Sequence, residues 1–322
     1  MNDTQKKFSV TVGIPAYNEE LNILYTLQSV VKQAGQLFTL EKIRVISDGS
    51  TDKTEEIVKA FSREHPMVEL VADQERKGKI TRLNQLCRMN ESDFLIFLDA
   101  DTVFESENAI EEAIRVFRGD EDVNVVAMHE IPVKAETFVE RINNAGCHLW
   151  DETRLFINGG NHIHNLRGSG SVVRKKFADT LEFPVRLTTD ASFLYLKAIE
   201  NNPDGFRYAY KAHILYHSPN SLDECRIQGS RSIFDQKSHV SNYFGNWVFE
   251  KYRIPTKYKV RAVLKRMIQD PVFTTLAILL GVYVRLFPLK DEMVKKYTWK
   301  IVRSTKRSLK NASPDFKMKE VY

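Results

Sequence analysis

Two aspartates one residue apart, Asp99 and Asp101, end the apolar run Phe94 to Leu98 in "FLIFLDADT". Side chains two positions apart on a strand share a face, and where the strand gives way to a turn both carboxylates can close on one cation. Hard oxygen ligands suit Mn2+ or Mg2+, which typically keep substrate phosphates among their other ligands. An Asp-rich turn capping the next helix is the alternative for a lone pair of this kind. The position of the pair, at the end of an apolar strand beside other polar loops, favours the metal.

The surrounding elements must place the pair. "FSVTVGIPA", "KIRVIS", "MVELVA" and "DFLIFLDA" read as strands, and "EELNILYTLQSVVKQA", "TDKTEEIVKAFSREH" and "KITRLNQLCRMN" as the helices between them. Such alternation predicts an α/β fold, a doubly wound, Rossmann-like and mostly parallel sheet with helices on both faces. These sheets bind ligands at the carboxyl ends of their strands, near the switch in strand order. The polar clusters "PAYNEE", "SDGSTDKT", "DQERKGK" and "DADT" each follow a strand, so four loops converge on one edge as a single pocket.

In this order and spacing, "IPAYNEE", "SDGSTDKT", "KGKITRLN" and "LDADT" resemble the nucleotide-sugar half of family-2 glycosyltransferases, inverting enzymes with the GT-A fold. The resemblance is dense from Phe8 to Val103 and looser to about Arg231. It implies a donor site of Pro15, Ala16, Tyr17, Glu19, Asp48, Lys79, Asp99 and Ala100. Tyr17 offers an aromatic face to the base. Asp48 matches the acceptor for the uracil imide hydrogen, which favours UDP-sugars, although Ser47 stands where many members have a second aspartate. Asp48 and Asp52 read equally as a turn and a helix cap. Lys79 would balance diphosphate charge, with Arg76 and Lys77 as solvated neighbours. Asp99 would approach ribose and metal, and Asp101 would bind the metal. All of these residues precede Val103, so the donor pocket is expected to be built from that half alone.

For the reaction, the resemblance implies a base for the attacking hydroxyl. Asp190 in "RLTTDASFLYLKAIE" takes that place, with Thr189 where members commonly carry glutamate; on local sequence alone Asp190 reads as a helix cap. Displacement assisted by one base and one metal inverts the anomeric centre. His217 is a candidate third metal ligand or a packing histidine, and His213 a weaker one. Gly168 and Gly170 in "RGSGSVVRKKF" allow close backbone approach to a sugar, beside Arg167 and Arg174, which read as phosphate-facing or solvated. Gln228 and Arg231 loosely match a Gln-x-x-Arg-Trp motif of processive members. Ser232 replaces the tryptophan, which favours a single addition over polymerisation.

Charge divides the chain. The net charge is +5, yet Lys251 to Tyr322 carries 18 Lys and Arg against 5 Asp and Glu, a balance of +13, which leaves 29 against 37, or −8, for residues 1–250. The expected organisation is a catalytic domain over 1–218, with a donor half about 8–103 and an acceptor half about 104–218, then a helical basic region over 219–322. The apolar stretch Pro271 to Val284 is 14 residues long, short of the ~20 needed to cross a bilayer. It reads equally as an interfacial helix on anionic lipid or a buried one.

Three cysteines, Cys87, Cys147 and Cys225, share no metal-type spacing, and the N-terminus has no apolar signal core. A cytoplasmic protein is expected, peripheral at the inner face of the membrane if the tail binds lipid. The partners implied are a nucleotide-sugar donor and a glycan, lipid-linked or protein acceptor, and no nucleic acid. Two rivals are a nucleotidyltransferase, for which "IPAYNEE" lacks the Gly-rich phosphate loop, and a non-catalytic sugar-nucleotide-binding protein.

Overall fold

"FSVTVGIPA" forms β1, Phe8–Ala16, at the heart of one eight-stranded sheet. A computed structural model of the chain describes residues 7–185, 187, 189–234, 236–288 and 302–312, without the side chains of 231–234 and 236–239. The elements following β1 are α1 (Ile23–Val31), β2 (Phe38–Asp48), α2 (Thr54–Glu64), β3 (Val68–Asp73), α3 (Lys79–Arg88), β4 (Phe94–Leu98), β5 (Thr102–Phe104) and α4 (Ala109–Phe117). They continue as β6 (Val125–Pro132), α5 (Phe138–Arg154), β7 (Gly170–Arg174), α6 (Lys175–Ala178), α7 (Asp190–Ile199) and β8 (Phe206–Tyr216). The C-terminal part adds α8 (Leu222–Phe234), α9 (Gln236–Phe244), α10 (Val248–Lys251), α11 (Thr256–Gln269) and α12 (Pro271–Leu286).

Strand order is β3-β2-β1-β4-β7-β6-β8-β5. The pairs β1/β2, β1/β4, β2/β3 and β6/β8 are parallel, whereas β4/β7, β6/β7 and β5/β8 are antiparallel. Every residue of β4 is buried, as expected of a strand covered on both faces. One face carries Leu27, Val30, Ile110, Ile114 and Phe117 from α1 and α4. The other carries Leu83 and Leu86 from α3 with Phe193, Leu194 and Leu196 from α7. Between β1 and β4 the direction of strand succession reverses, which opens the crevice where such sheets take ligands.

Two features go beyond the sequence reading. Helix α5 opens on a complete capping box in which Thr137 accepts from the Glu140 N–H while Glu140 accepts from the Thr137 N–H. Helix α12 packs on one side and is exposed on the other: Phe273 and Ala277 pack on Ile142 and Ala145 of α5, while Val272, Leu279 and Leu286 are 61%, 58% and 69% exposed. No helix among the described residues is long and apolar enough to cross a membrane.

Gly205 joins α7 to β8. Its carbonyl accepts the N–H groups of Asn124 (2.9 Å) and Val125 (3.0 Å), and an added Cβ would meet the Ala198 carbonyl oxygen at 2.0 Å. Because that neighbour is helix backbone, the clash cannot be relieved by a rotamer. Gly205→Ala should therefore lower stability by about 1–3 kcal/mol, read as a lower urea midpoint at unchanged slope.

Candidate active site

The loop bearing the aspartate pair is fixed from beneath before it meets any ligand. Buried Thr26 on α1 donates its hydroxyl to the carbonyls of Ala100 (2.9 Å) and Thr102 (2.8 Å). Thr102 donates its hydroxyl to the Asp99 carbonyl at 2.7 Å, and the Asp99 N–H donates to Ser169 at 2.9 Å. The last bond exists because β7 runs antiparallel to β4 with Gly170 opposite Leu98. The loop before β7 is thereby laid against the aspartates that follow β4.

Lys79, the first residue of α3, is the centre of the arrangement. Its ammonium lies 2.7 Å from Asp99 Oδ1 and 3.0 Å from Asp190 Oδ2, and donates to the Gly168 carbonyl at 3.1 Å. Burial lowers its pKa, but the fields of Asp190 and Asp99 outweigh that loss and hold it well above the ordinary lysine value. Gly168 sits at φ +102°, strained for any side chain, and a Cβ there would stand 3.6 Å from both Asp190 oxygens. The cap of α7 belongs to Thr189, which accepts from the Ser192 N–H. Asp190 is thus released from the capping role that its local sequence equally suggested.

Acidic charge accumulates beside this lysine. Burial pushes Asp99 up to about 6, with Lys79 opposing and Asp101 adding to the rise. Asp101 is raised by burial against the pull of Lys306 and Lys79. Glu19 is pushed up to about 8, first by burial and then by Asp101, against Lys306. Two half-buried carboxylates, Asp99 and Asp101, and buried Glu19 thus act on one another, with Lys79 and Lys306 opposing their mutual repulsion. Oxygen donors in that condition fit a hard divalent cation. Among the described residues no three His, Cys, Asp or Glu side chains form a ready-made metal site, so an ion held by Asp99 and Asp101 would need ligand oxygens besides.

Several expected residues have other duties. Asp48 is buried, and its carboxylate accepts from the Lys77 N–H (2.8 Å), the Gly78 N–H (2.9 Å) and Arg82 Nε (2.7 Å). It holds the loop after β3, an engagement that its sequence context did not announce. Asp52 accepts from the Thr54 N–H at 3.0 Å and the Glu20 N–H at 3.1 Å, tying two loops together. Pro15 and Ala16 end β1 opposite Ile46 and Ser47. Tyr17 follows them, and the expected solvated neighbour Arg76 instead stacks on its ring, 4.0 Å from the centroid. Lys77 pairs with Asp73 at 2.8 Å.

Other expected residues have protein partners. Arg307 donates to His217 Nδ1 at 3.2 Å, and His217 Nε2 lies 3.3 Å from the Ser308 carbonyl, contacts that fit the packing alternative. His213 pairs with Glu105 at 2.6 Å. Gly170 answers to packing, since a Cβ would strike Ile214 at 2.6 Å inside the sheet. Arg174 lies at the far end of β7, stacked on Phe94 and Phe117 and bonded to the Val123 and Asp120 carbonyls. Arg167 pairs with Glu130 at 3.3 Å and donates to the Tyr216 hydroxyl at 3.0 Å. Gln228 is half-buried on α8, and the Arg231 side chain lies outside the described residues.

Two site residues were missed. Arg82, one helical turn after Lys79, is buried and joins Asp48 (2.7 Å) to Asp73 (3.0 Å); that i, i+3 spacing was the available signal. Lys306 enters from 287 residues away to bond Glu19, and no local pattern could announce it. Residues far beyond Val103 therefore also reach the loop after β1. Breaking a buried pair costs about 3–5 kcal/mol, so Arg82→Met should destabilise by that order. Adding Asp48→Asn should recover part of the loss in a double-mutant cycle of unfolding free energies.

Residues 11–181 match the family described as Glycosyl transferase family 2. The chain is 26% identical over 147 residues to the minor teichoic acid biosynthesis protein GgaB of Bacillus subtilis (strain 168), an alignment covering 45% of this chain and 16% of that protein. It is 29% identical over 128 residues to the O-antigen chain rhamnosyltransferase WbaN of Salmonella anatum, covering 38% of each. The chain therefore spans well under half the length of these relatives. Among solved structures it resembles a mannosyltransferase from Pyrobaculum calidifontis in complex with GDP-Man and Mn2+, with TM-score 0.56, 18% identity, and coverage of 89% of this chain and 78% of that one. It also resembles glucosyl-3-phosphoglycerate synthase from Mycobacterium tuberculosis in complex with Mn2+ and UDP-glucose, with TM-score 0.50, 17% identity, and coverage of 71% and 77%. Identities this low speak for a common fold, the GT-A fold. With the family match spanning more than half of its residues, the chain belongs to the family 2 glycosyltransferases.

Proposed function

We propose that the protein moves a sugar from a nucleoside diphosphate sugar, a UDP-sugar in the first instance, to a hydroxyl acceptor with inversion and in single additions. The observation that carries this reading is the Lys79 ammonium held between Asp99 at 2.7 Å and Asp190 at 3.0 Å. It gathers a donor-side carboxylate, a phosphate-compatible cation and an uncapped carboxylate at one point. Asp99 and Asp101 would hold Mn2+ or Mg2+, which when bound supplies Lewis-acid stabilisation to a departing diphosphate. Lys79 would orient both carboxylates and face the diphosphate. Asp190 would accept the acceptor hydroxyl's proton as the new O–C bond forms and the anomeric C–O bond to phosphate breaks. The nucleoside diphosphate leaves from the face opposite the attack. One base suffices, because the leaving group needs no acid, unlike that of a glycoside hydrolase.

The two-region division of the chain, 1–218 and 219–322, belongs to the same proposal with one amendment: residues 302–312 work with the catalytic body. We place the remaining tail on an anionic membrane surface, where a lipid-linked acceptor would be met. The helices α11 and α12 support this. Leu264, Ile268 and Val272 are exposed around the hairpin, with exposed Lys257, Lys259 and Arg261 beside them on α11. Apolar side chains flanked by lysine and arginine are the composition of an interfacial element.

Two experiments test these readings. Asp190→Asn should bind donor with near-normal affinity but transfer about 10²–10⁴-fold more slowly, whereas Asp101→Asn should lose Mn2+-supported donor binding as well. Donor binding and folding lost together in Asp190→Asn would make that residue structural. The full chain should sediment with phosphatidylglycerol vesicles, be released by salt, and lose binding on Ile268→Glu with Val272→Glu. Equal sedimentation with neutral vesicles at low salt would remove the membrane reading.

A further inference from the structure

Residues 302–312 form a strap laid across the sheet edge that carries the aspartates. Its docking is specific. The Ser304 N–H donates to Glu224 on α8 at 3.1 Å, and its hydroxyl bonds the same carboxylate. Arg307 pairs with Glu136 at 2.9 Å and with Glu140, the capping-box residue of α5. The Leu309 N–H donates to Asn22 Oδ1 at 3.1 Å, and its side chain is buried with Val103, Ile131, Val133 and Leu215. Polar anchors on three helices' ends and an apolar one on the sheet hold the strap in register.

Between these anchors one cation points inward. Lys306 Nζ donates to the carbonyls of Tyr17 (2.7 Å) and Asn18 (3.1 Å) and pairs with Glu19. Its charge also acts on Asp101 more strongly than that of Lys79 does. The acidic loop thus has a cation on each side, Lys79 against Asp99 and Lys306 toward Asp101. Lys306 thus bonds the backbone of Tyr17, the residue whose ring the family resemblance sets against the base. Ser304, Arg307 and Leu309 fix the backbone on either side of it.

We infer that Lys306 is a phosphate-binding residue of the donor site, delivered by the C-terminal strap. A diphosphate lying between Tyr17 and Asp101 gains the ammonium as a charge-assisted partner, and the strap covers the bound nucleotide on the side away from Lys79. The inference rests on the nucleoside diphosphate reading above.

The test measures binding by calorimetry in Mn2+ for UDP, GDP and uridine with the full-length wild type, Lys306→Met and Lys306→Arg. Lys306→Met should weaken the preferred diphosphate at least about ten-fold, the effect of about 1.4 kcal/mol, while leaving uridine affinity nearly unchanged; the loss of the Glu19 pair should lower the melting temperature, so binding is measured where both proteins are fully folded. Lys306→Arg should restore much of the affinity by retaining the charge. Limited trypsin digestion should show the bond after Arg303 or Arg307 protected by the diphosphate in the wild type and not in Lys306→Met. Equal diphosphate affinity in wild type and Lys306→Met overturns the inference while leaving the donor reading intact. A wild type that binds neither UDP nor GDP in Mn2+ overturns both.

Discussion

One ammonium decides how the two halves of this protein meet. Lys79 takes Asp99 from the loop after β4 and Asp190 from the start of α7 into a single pair of contacts, with the Gly168 carbonyl as a third. Burial raises the Asp99 carboxyl and Lys79 opposes that rise. Placing the lysine between the two carboxylates brings Asp99 and Asp190 to 2.7 and 3.0 Å from one ammonium. The surrounding structure serves that contact. Antiparallel β7 brings Gly168 and Ser169 beside Asp99, Thr189 takes over the cap so that Asp190 is free to turn inward, and Thr26 holds the aspartate loop from below.

The parts legible in the sequence were those with a local period or a fixed order. Buried parallel strands read as continuous apolar runs, and the loops following β1 to β4 are all polar, so the sheet and its ligand edge could be seen without coordinates. Lys79, Asp99 and Asp101 were named for the same reason, whereas Asp190 was named only through the family resemblance. What could not be read was the competition for each side chain. Asp48 has the right spelling for a base contact, but two N–H donors of the β3–α3 loop and Arg82 surround it. His217 has ligand chemistry, yet its ring nitrogens face Arg307 and Ser308. Both outcomes depend on partners far away in sequence, and loop closure over such distances leaves no local trace.

Helix α12 shows why the apolar stretch 271–284 supported two readings at once. A helix presents different faces every few residues, and this one uses Phe273, Thr274, Ala277 and Val284 for packing while Val272, Leu279, Val282 and Leu286 face outward. The packing is close enough that Gly229 of α8 has no room for a side chain: a Cβ there would lie 2.3 Å from Val284. Apolar content on both sides of a short helix is thus neither a spanning segment nor a core helix alone. Its inner face satisfies the fold, and its outer face is left with area that water does not favour.

Helix α8 connects that outer face to the donor edge. Arg226 donates to the Phe287 carbonyl at 2.9 Å, fixing the end of α12, while Glu224, half a helical turn away, receives Ser304 at the start of the strap. The last residues of the apolar helix and the first of the strap are therefore positioned by neighbouring side chains of one short helix. Two residues beyond Ser304 the chain delivers Lys306 to Tyr17 and Glu19. A displacement of α12 relative to α5 would load α8 through both Val284 and Phe287, and α8 has a direct carboxylate hold on the strap. Helix α12 and the aspartate loop are thus joined by a contiguous set of contacts that runs through α8 and the strap rather than through the sheet.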